Sequence, residues 1–183
     1  MEQMGRCESF GGLEPPPDEG RPSHLHDAEL LVAPSAVPRH QVVAQNLGHV
    51  FHDYAAEHGG LAIISPNDIV LSNDDVAQPD IVFFTPARRH LVQVDARIRH
   101  PPDLAVEVIS PLTAAADRGA KMEMLARYGV SEYWIVYPIV EAIEIYMLVA
   151  GAYQRALTFT GANEVQSMLL SGLAFAASRI FPA

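Results

Sequence analysis

Residues 102–138 read PDLAVEVISPLTAAADRGAKMEMLARYGVSEYWIVYP, and the order of patterns within them decides the fold class. Leu104–Ile109 is apolar on both strand parities except at Glu107, as expected of a central strand covered on both faces. Ser110 and Pro111 stop that strand, and Thr113 is placed to cap a helix running to Tyr128. Gly129 stands where a C′ glycine belongs, and Tyr133–Val136 returns to a strand.

Upstream, the apolar positions Val43, Leu47, Val50, Phe51 and Tyr54 recur at helical spacing between Arg39 and about Glu57, and His58, Gly59 and Gly60 end that helix. Short strands are expected at Glu29–Val32, Leu61–Ile64 and Asp68–Leu71, with a β-branched and aromatic one at Asp80–Thr85. Leu91–Ile98 alternates loosely, as a strand or an irregular arm. Downstream, Ile143–Val149 and Tyr153–Phe159 read as strands paired across Ala150–Ala152, and an apolar segment around Leu173 leads to a short closing helix. Helix, strands, helix, strands without internal repeats predicts an α/β (α+β) fold, a mixed central sheet flanked by helices.

The chain has 183 residues, enough for one domain with a real core. Residues 1–22 hold four Gly and four Pro with few apolar side chains, so they predict a flexible acidic tail ahead of a single domain over 23–183. Against 22 acidic residues stand 12 basic ones, a formal charge of -10, which excludes a nucleic-acid clamp built on bulk positive charge. Residues 1–30 carry -5 of that, so the folded body is less acidic. The single cysteine, Cys7, excludes an internal disulfide and any cysteine-based zinc site. No apolar run is long enough to span a membrane and no signal-peptide order opens the chain, so the expectation is a cytoplasmic protein without a membrane partner.

Two carboxylates lie among apolar strand residues. Asp80 follows Pro79 at the head of a hydrophobic strand, and Glu107 lies in the middle of another. Desolvating an ionised carboxylate is expensive without a cation or a metal. The cation at hand is Lys121, the sole lysine beside eleven arginines. On its helix it shares a stripe with Asp117, Leu125 and Tyr128, which turns it toward the preceding strand. Glu107 and Lys121 also fit a buried structural ion pair, Asp117 and Lys121 a plain i, i+4 helix pair, and Asp80 an ordinary strand-entry turn. Arg88, Arg89, Arg97 and Arg99, with His90 and His100 against Asp95, either contact phosphates or solvate a loop. His24, His26, His49 and His52 form no complete ligand set at zinc-type spacing, and His40, which opens the long helix, reads as a hydrogen-bonded helix-start residue.

The run QPDIVFF at 78–84, then PDLAVEVISPLT at 102–113, Asp117, Lys121, Tyr128 and GVSEYWIVYP at 129–138, resembles the Uma-type restriction endonuclease family of the PD-(D/E)XK nuclease superfamily. HDAELLVAPSAVPRHQ at 26–41 and SGLAFAASRIF at 171–181 extend the similarity over roughly residues 24–181. The resemblance implies a restriction-endonuclease-like core and a magnesium-dependent endonuclease acting on DNA, with manganese as a substitute. Carried over, Asp80 and Glu107 are the metal ligands, with Val108 and Glu29 completing the metal set, and Lys121 is the catalytic cation. Position 109, where the superfamily motif places its lysine, is Ile109, and the helix-borne Lys121 takes its place. Glu29 fits a solvated strand end equally. His24, Ala28 and Tyr137 depart from the family pattern, which often has glutamate, glycine and aspartate there.

The chemistry behind the pattern is general. Magnesium is commonly held by one or two carboxylates plus phosphate oxygens and waters, and it polarises a phosphoryl group while acidifying a bound water. An arginine cannot readily replace Lys121, because a guanidinium does not release a proton and is a planar fork. Analogy with restriction enzymes implies a homodimer. The reading from another class is a non-catalytic nucleic-acid-binding or protein-binding module that keeps the fold.

Overall fold

The computed structural model describes residues 23–26, 29–32, 37–109 and 118–182, with the first two of these stretches described by backbone alone. The expected tail, Thr113, Asp117 and the stop at Ser110–Pro111 lie outside the described residues, as does the side chain of Glu29.

The chain runs β1 (Ser23–His26), β2 (Glu29–Val32), α1 (Pro38–His58), β3 (Leu61–Ile64), β4 (Ile69–Val70), β5 (Val76–Ala77), β6 (Ile81–Phe84), β7 (Leu104–Val108), α2 (Ala120–Arg127), β8 (Glu132–Tyr137), β9 (Ala142–Val149), β10 (Ala152–Thr160), β11 (Glu164–Gln166) and β12 (Ala174–Ala176). The central sheet has the order β10-β9-β8-β7-β6-β3. Only β7 and β8 pair in parallel, across the crossover that contains α2. β3, β6, β9 and β10 are antiparallel to their neighbours, so the sheet is mixed as expected. A second sheet, β2-β1-β5-β4, and the β11–β12 ribbon complete the set.

The sheet is covered on both faces. Val43, Ala44, Leu47, Val50 and Phe51 of α1 pack on Ile81, Phe83, Leu104, Val106, Trp134 and Ile145, and the closing segment with Phe175 and Ile180 joins them. Met124 and Leu125 of α2 pack on the opposite face with Val82, Phe84, Ala105, Tyr133 and Ile135. Every residue of β7 is buried, which explains its near-continuous apolar sequence. Strand alternation puts Glu107 with Ala105 and Ile109 on the α2 face.

Both helices stop where their residues dictate. Pro38 opens α1, where its missing N–H costs nothing. At the end of α2, Gly129 has φ 79, its N–H donates to the Ala126 carbonyl and that of Val130 to the Leu125 carbonyl. This is the Schellman closure that a C′ glycine permits. Asp75 then ties the β4–β5 turn to the same helix end, accepting from Arg127 and the Tyr128 hydroxyl.

Leu91–Ile98 is the irregular arm rather than a strand. A short 3-10 turn at Arg89–Leu91 is followed by a loop that touches β4 through a single parallel bridge, Ile69 to Ile98. The hairpin from β9 to β10 turns through Ala150 and Gly151, both at positive φ. β10 carries an extra residue, Ala156, between the Arg155–Tyr146 and Leu157–Ile145 pairs, which is a β-bulge in an edge strand.

Candidate active site

β6 and β7 pair Ile81 with Val106, so Asp80 and Glu107 stand at neighbouring positions of the same sheet end. Asp80 is oriented from two sides. Its Oδ2 accepts the Val108 N–H at 2.8 Å and lies 3.3 Å from His40 Nε2, which the first turn of α1 delivers. Its side chain keeps 19% exposure, whereas Glu107 keeps 4%. Lys121, in the first turn of α2, reaches down to the sheet with Nζ 2.8 Å from Glu107 Oε1 and 3.4 Å from the Gln78 carbonyl, which accepts from it. Gln78 belongs to the same segment as Asp80, and its amide donates to Asp68 at 3.1 Å. A carboxylate and an ammonium buried to this degree depend on each other, because either one alone would carry an uncompensated desolvation cost.

Three residues far apart in sequence therefore meet: Asp80, Glu107 and Lys121. The donor set offered to a metal is two carboxylates on adjacent strands, hard oxygen ligands of the kind a magnesium ion takes. Asp80 and Glu107 fit that group, and no cluster of three or more His, Cys, Asp or Glu able to hold a metal occurs among the described residues. Phosphate oxygens and water are the usual remainder of such a shell. Val108 contributes its N–H to Asp80. Glu29 pairs with His26 at the β1–β2 turn.

The arginine segment lies elsewhere. It leaves β6 at Thr85, the opposite end of the strand from Asp80. Arg88 donates to Asp103 Oδ1 at 2.7 Å and to the Pro101 carbonyl at 2.9 Å, while Asp103 Oδ2 accepts from the Thr85 N–H and hydroxyl. Arg89, Arg97 and Arg99 are exposed.

Two further carboxylates are buried in the sheet. Glu132 accepts from Trp134 Nε1, the Ser167 hydroxyl and the N–H groups of Met168 and Leu169. Burial pushes its carboxyl above the usual glutamate range, and these donors pull it back. It pins the 167–169 turn to β8. Glu144 accepts from the hydroxyls of Tyr137 and Tyr146 and from Arg118 and Arg155. The signal that marked Glu107, an acid inside an apolar strand, is present at both SEYWIV and IEIYMLV and marks them equally.

A family model named Uma2, with the description "Putative restriction endonuclease", matches residues 9–178. No curated protein matches this chain. A solved structure similar to it is described as a putative nuclease belonging to DUF820 from Anabaena variabilis ATCC 29413. The two share 16% identity and a TM-score of 0.71, over 87% of this chain and 89% of that one, a likeness of fold. Among the described residues no helix is long and apolar enough to cross a membrane.

Proposed function

This chain belongs to the Uma2 family of restriction-endonuclease type, and from that membership we propose that it is a metal-dependent endonuclease that hydrolyses DNA phosphodiester bonds. The observation that carries the reading is the meeting of Asp80, Glu107 and Lys121 at one sheet end, with Lys121 Nζ 2.8 Å from Glu107 Oε1. Asp80 and Glu107 would hold the cation, magnesium with manganese as a substitute. When bound, it supplies Lewis-acid polarisation of the phosphoryl group and lowers the pKa of a water.

The chain's own residues do the rest. The Val108 N–H and His40 fix the Asp80 carboxylate through Oδ2, so its orientation is set before substrate arrives. Lys121, held against Glu107 in a nearly dry position, places a compact positive charge beside the centre where the phosphorane charge develops. Its ammonium can also hold the attacking water by hydrogen bond, which a planar guanidinium would do in a different geometry.

The test is conversion of supercoiled plasmid to nicked and linear forms in magnesium or manganese. Asp80→Asn and Glu107→Gln are expected to lower the rate by roughly 100-fold or more, Asp80→Asn with the circular dichroism of the wild type and Glu107→Gln assayed below its own lowered melting temperature. Wild-type protein that leaves the plasmid intact with every divalent cation tried overturns the reading, and so does full activity in both variants.

A further inference from the structure

The α2 face of the sheet carries a second charged group one step from the reacting centre. Glu107 of β7 pairs in register with Ile135 of β8, and Ile135 with Glu144 of β9. Partners in register share a face, so Glu144 stands in the same row as Glu107, two strand spacings or about 10 Å away. Its carboxylate is nearly buried and accepts from Tyr137 at 2.6 Å, Tyr146 at 2.8 Å, Arg155 at 2.9 Å and Arg118 at 3.2 Å. Arg118 precedes Lys121 by three residues, and its guanidinium lies over the Tyr137 ring, 4.9 Å from the centroid. Burial first, then the hydrogen bond to Glu144 and after it the Glu144 charge, raise the Tyr146 phenol, which therefore remains a donor.

Two arginines and two hydroxyls fill the roughly four acceptor positions of the Glu144 carboxylate, and two guanidinium charges stand against its single negative one. Arg118 and Arg155 keep 49% and 60% exposure, and each commits one N–H to Glu144 out of the five a guanidinium carries. The remaining forks are held in place and open to solvent. One cation is enough to compensate a buried carboxylate, so stability accounts for one of these arginines and leaves the second without a structural need. Along the row, three carboxylates, Asp80, Glu107 and Glu144, are matched by three cations, Lys121, Arg118 and Arg155, on a chain of charge -10.

We propose that Arg118 and Arg155, set by Glu144 and the Tyr137 ring, form a clamp for the phosphodiester backbone of the strand that runs past the reacting centre. A planar guanidinium fork matches two phosphate oxygens. About 10 Å is a span that a strand covers within roughly three nucleotides at ~3.4 Å of axial rise each. The direction of the strand rests on the nuclease reading given above, but the clamp is read out by binding alone.

The experiment is fluorescence anisotropy of a labelled DNA duplex in EDTA, titrated at several salt concentrations, with plasmid nicking run on the same protein. Arg118→Gln and Arg155→Gln are each expected to weaken binding several-fold and to flatten the log Kd against log salt slope by about 0.9. Arg179→Gln, which loses an exposed pair with Asp53 on the α1 side, is expected to bind as the wild type. Folded Gln variants with unchanged affinity and slope overturn the clamp, as does a wild type that does not bind duplex. If the Gln variants do not fold, Arg118→Lys and Arg155→Lys keep the charge and lose the fork; weaker binding at an unchanged slope supports the clamp, and unchanged affinity overturns it. Intact wild-type binding without nicking, with the arginine effects present, overturns the nuclease reading and supports the clamp.

Discussion

Lys121 and Glu107 set a trap for the usual alanine test. With side-chain exposures of 6% and 4%, they are bound to each other by desolvation, and removing one partner of such a pair costs about 3–5 kcal/mol. Lys121→Ala is therefore expected to melt well below wild type, whereas the double variant Glu107→Gln, Lys121→Met recovers most of that loss; differential scanning calorimetry on the three proteins checks it, and equal melting of single and double variants contradicts the coupling. Glu132 gives a second residue-scale prediction. Its folded carboxyl is raised by burial, so the folded state holds its proton more tightly than the unfolded chain does. That contribution is fully present below the ordinary glutamate value and is lost as pH rises through the raised one. Glu132→Gln should flatten stability against pH in that window, and it should cost about 2 kcal/mol by disturbing four donated hydrogen bonds, both measurable by urea unfolding across pH. The pairing of Asp80, Glu107 and Lys121 was legible in the sequence because each stands out in its own segment: an acid after a strand-opening proline, an acid inside an apolar strand, a sole lysine. Arg118, Arg155 and Glu144 were not singled out, since arginines are common in this chain and the cluster forms only where the residue ahead of α2 meets β8, β9 and β10.

Elements with strong periodicity or a stop signal were the most readable. The expected helix from Arg39 to about Glu57 is Pro38–His58, and Tyr133–Val136 is the heart of Glu132–Tyr137. β1, β5, β11 and β12, of two to four residues, escaped notice because segments that short show no period of their own and owe their shape to pairing partners. The β9–β10 hairpin was foreseen, but not the strain in its turn. Ala150 sits at φ 51, a left-handed conformation that costs an L-residue roughly 1–2 kcal/mol, next to Gly151 in a two-residue loop where Asn-Gly is preferred. Ala150→Asn is accordingly expected to raise the melting temperature by roughly 2–4 °C, and a lowered melting temperature would contradict the assignment of strain to that turn.

At the scale of the molecule, what the sequence disclosed best was the sandwich of one sheet between two helices, because β7 reads as buried on both faces and the helices that cover it carry their apolar stripes openly. The sheet's ends were not legible, because nothing in a single strand's pattern says which neighbour it lacks. Among the described residues β3 and β10 are the outer strands, and β10 runs nine residues, a long rail of N–H and C=O groups that no described strand pairs on its outer side. The extra residue Ala156 bends that rail in the middle. Removing it would leave a straight template on which a second copy could zip, edge to edge. A deletion of Ala156 is expected to produce concentration-dependent growth of particle size in light scattering, and monodisperse behaviour of that variant would show that other features of the edge suffice. On that expectation one surplus alanine is a guard on solubility, a task that concerns the company the protein keeps rather than any bond it breaks.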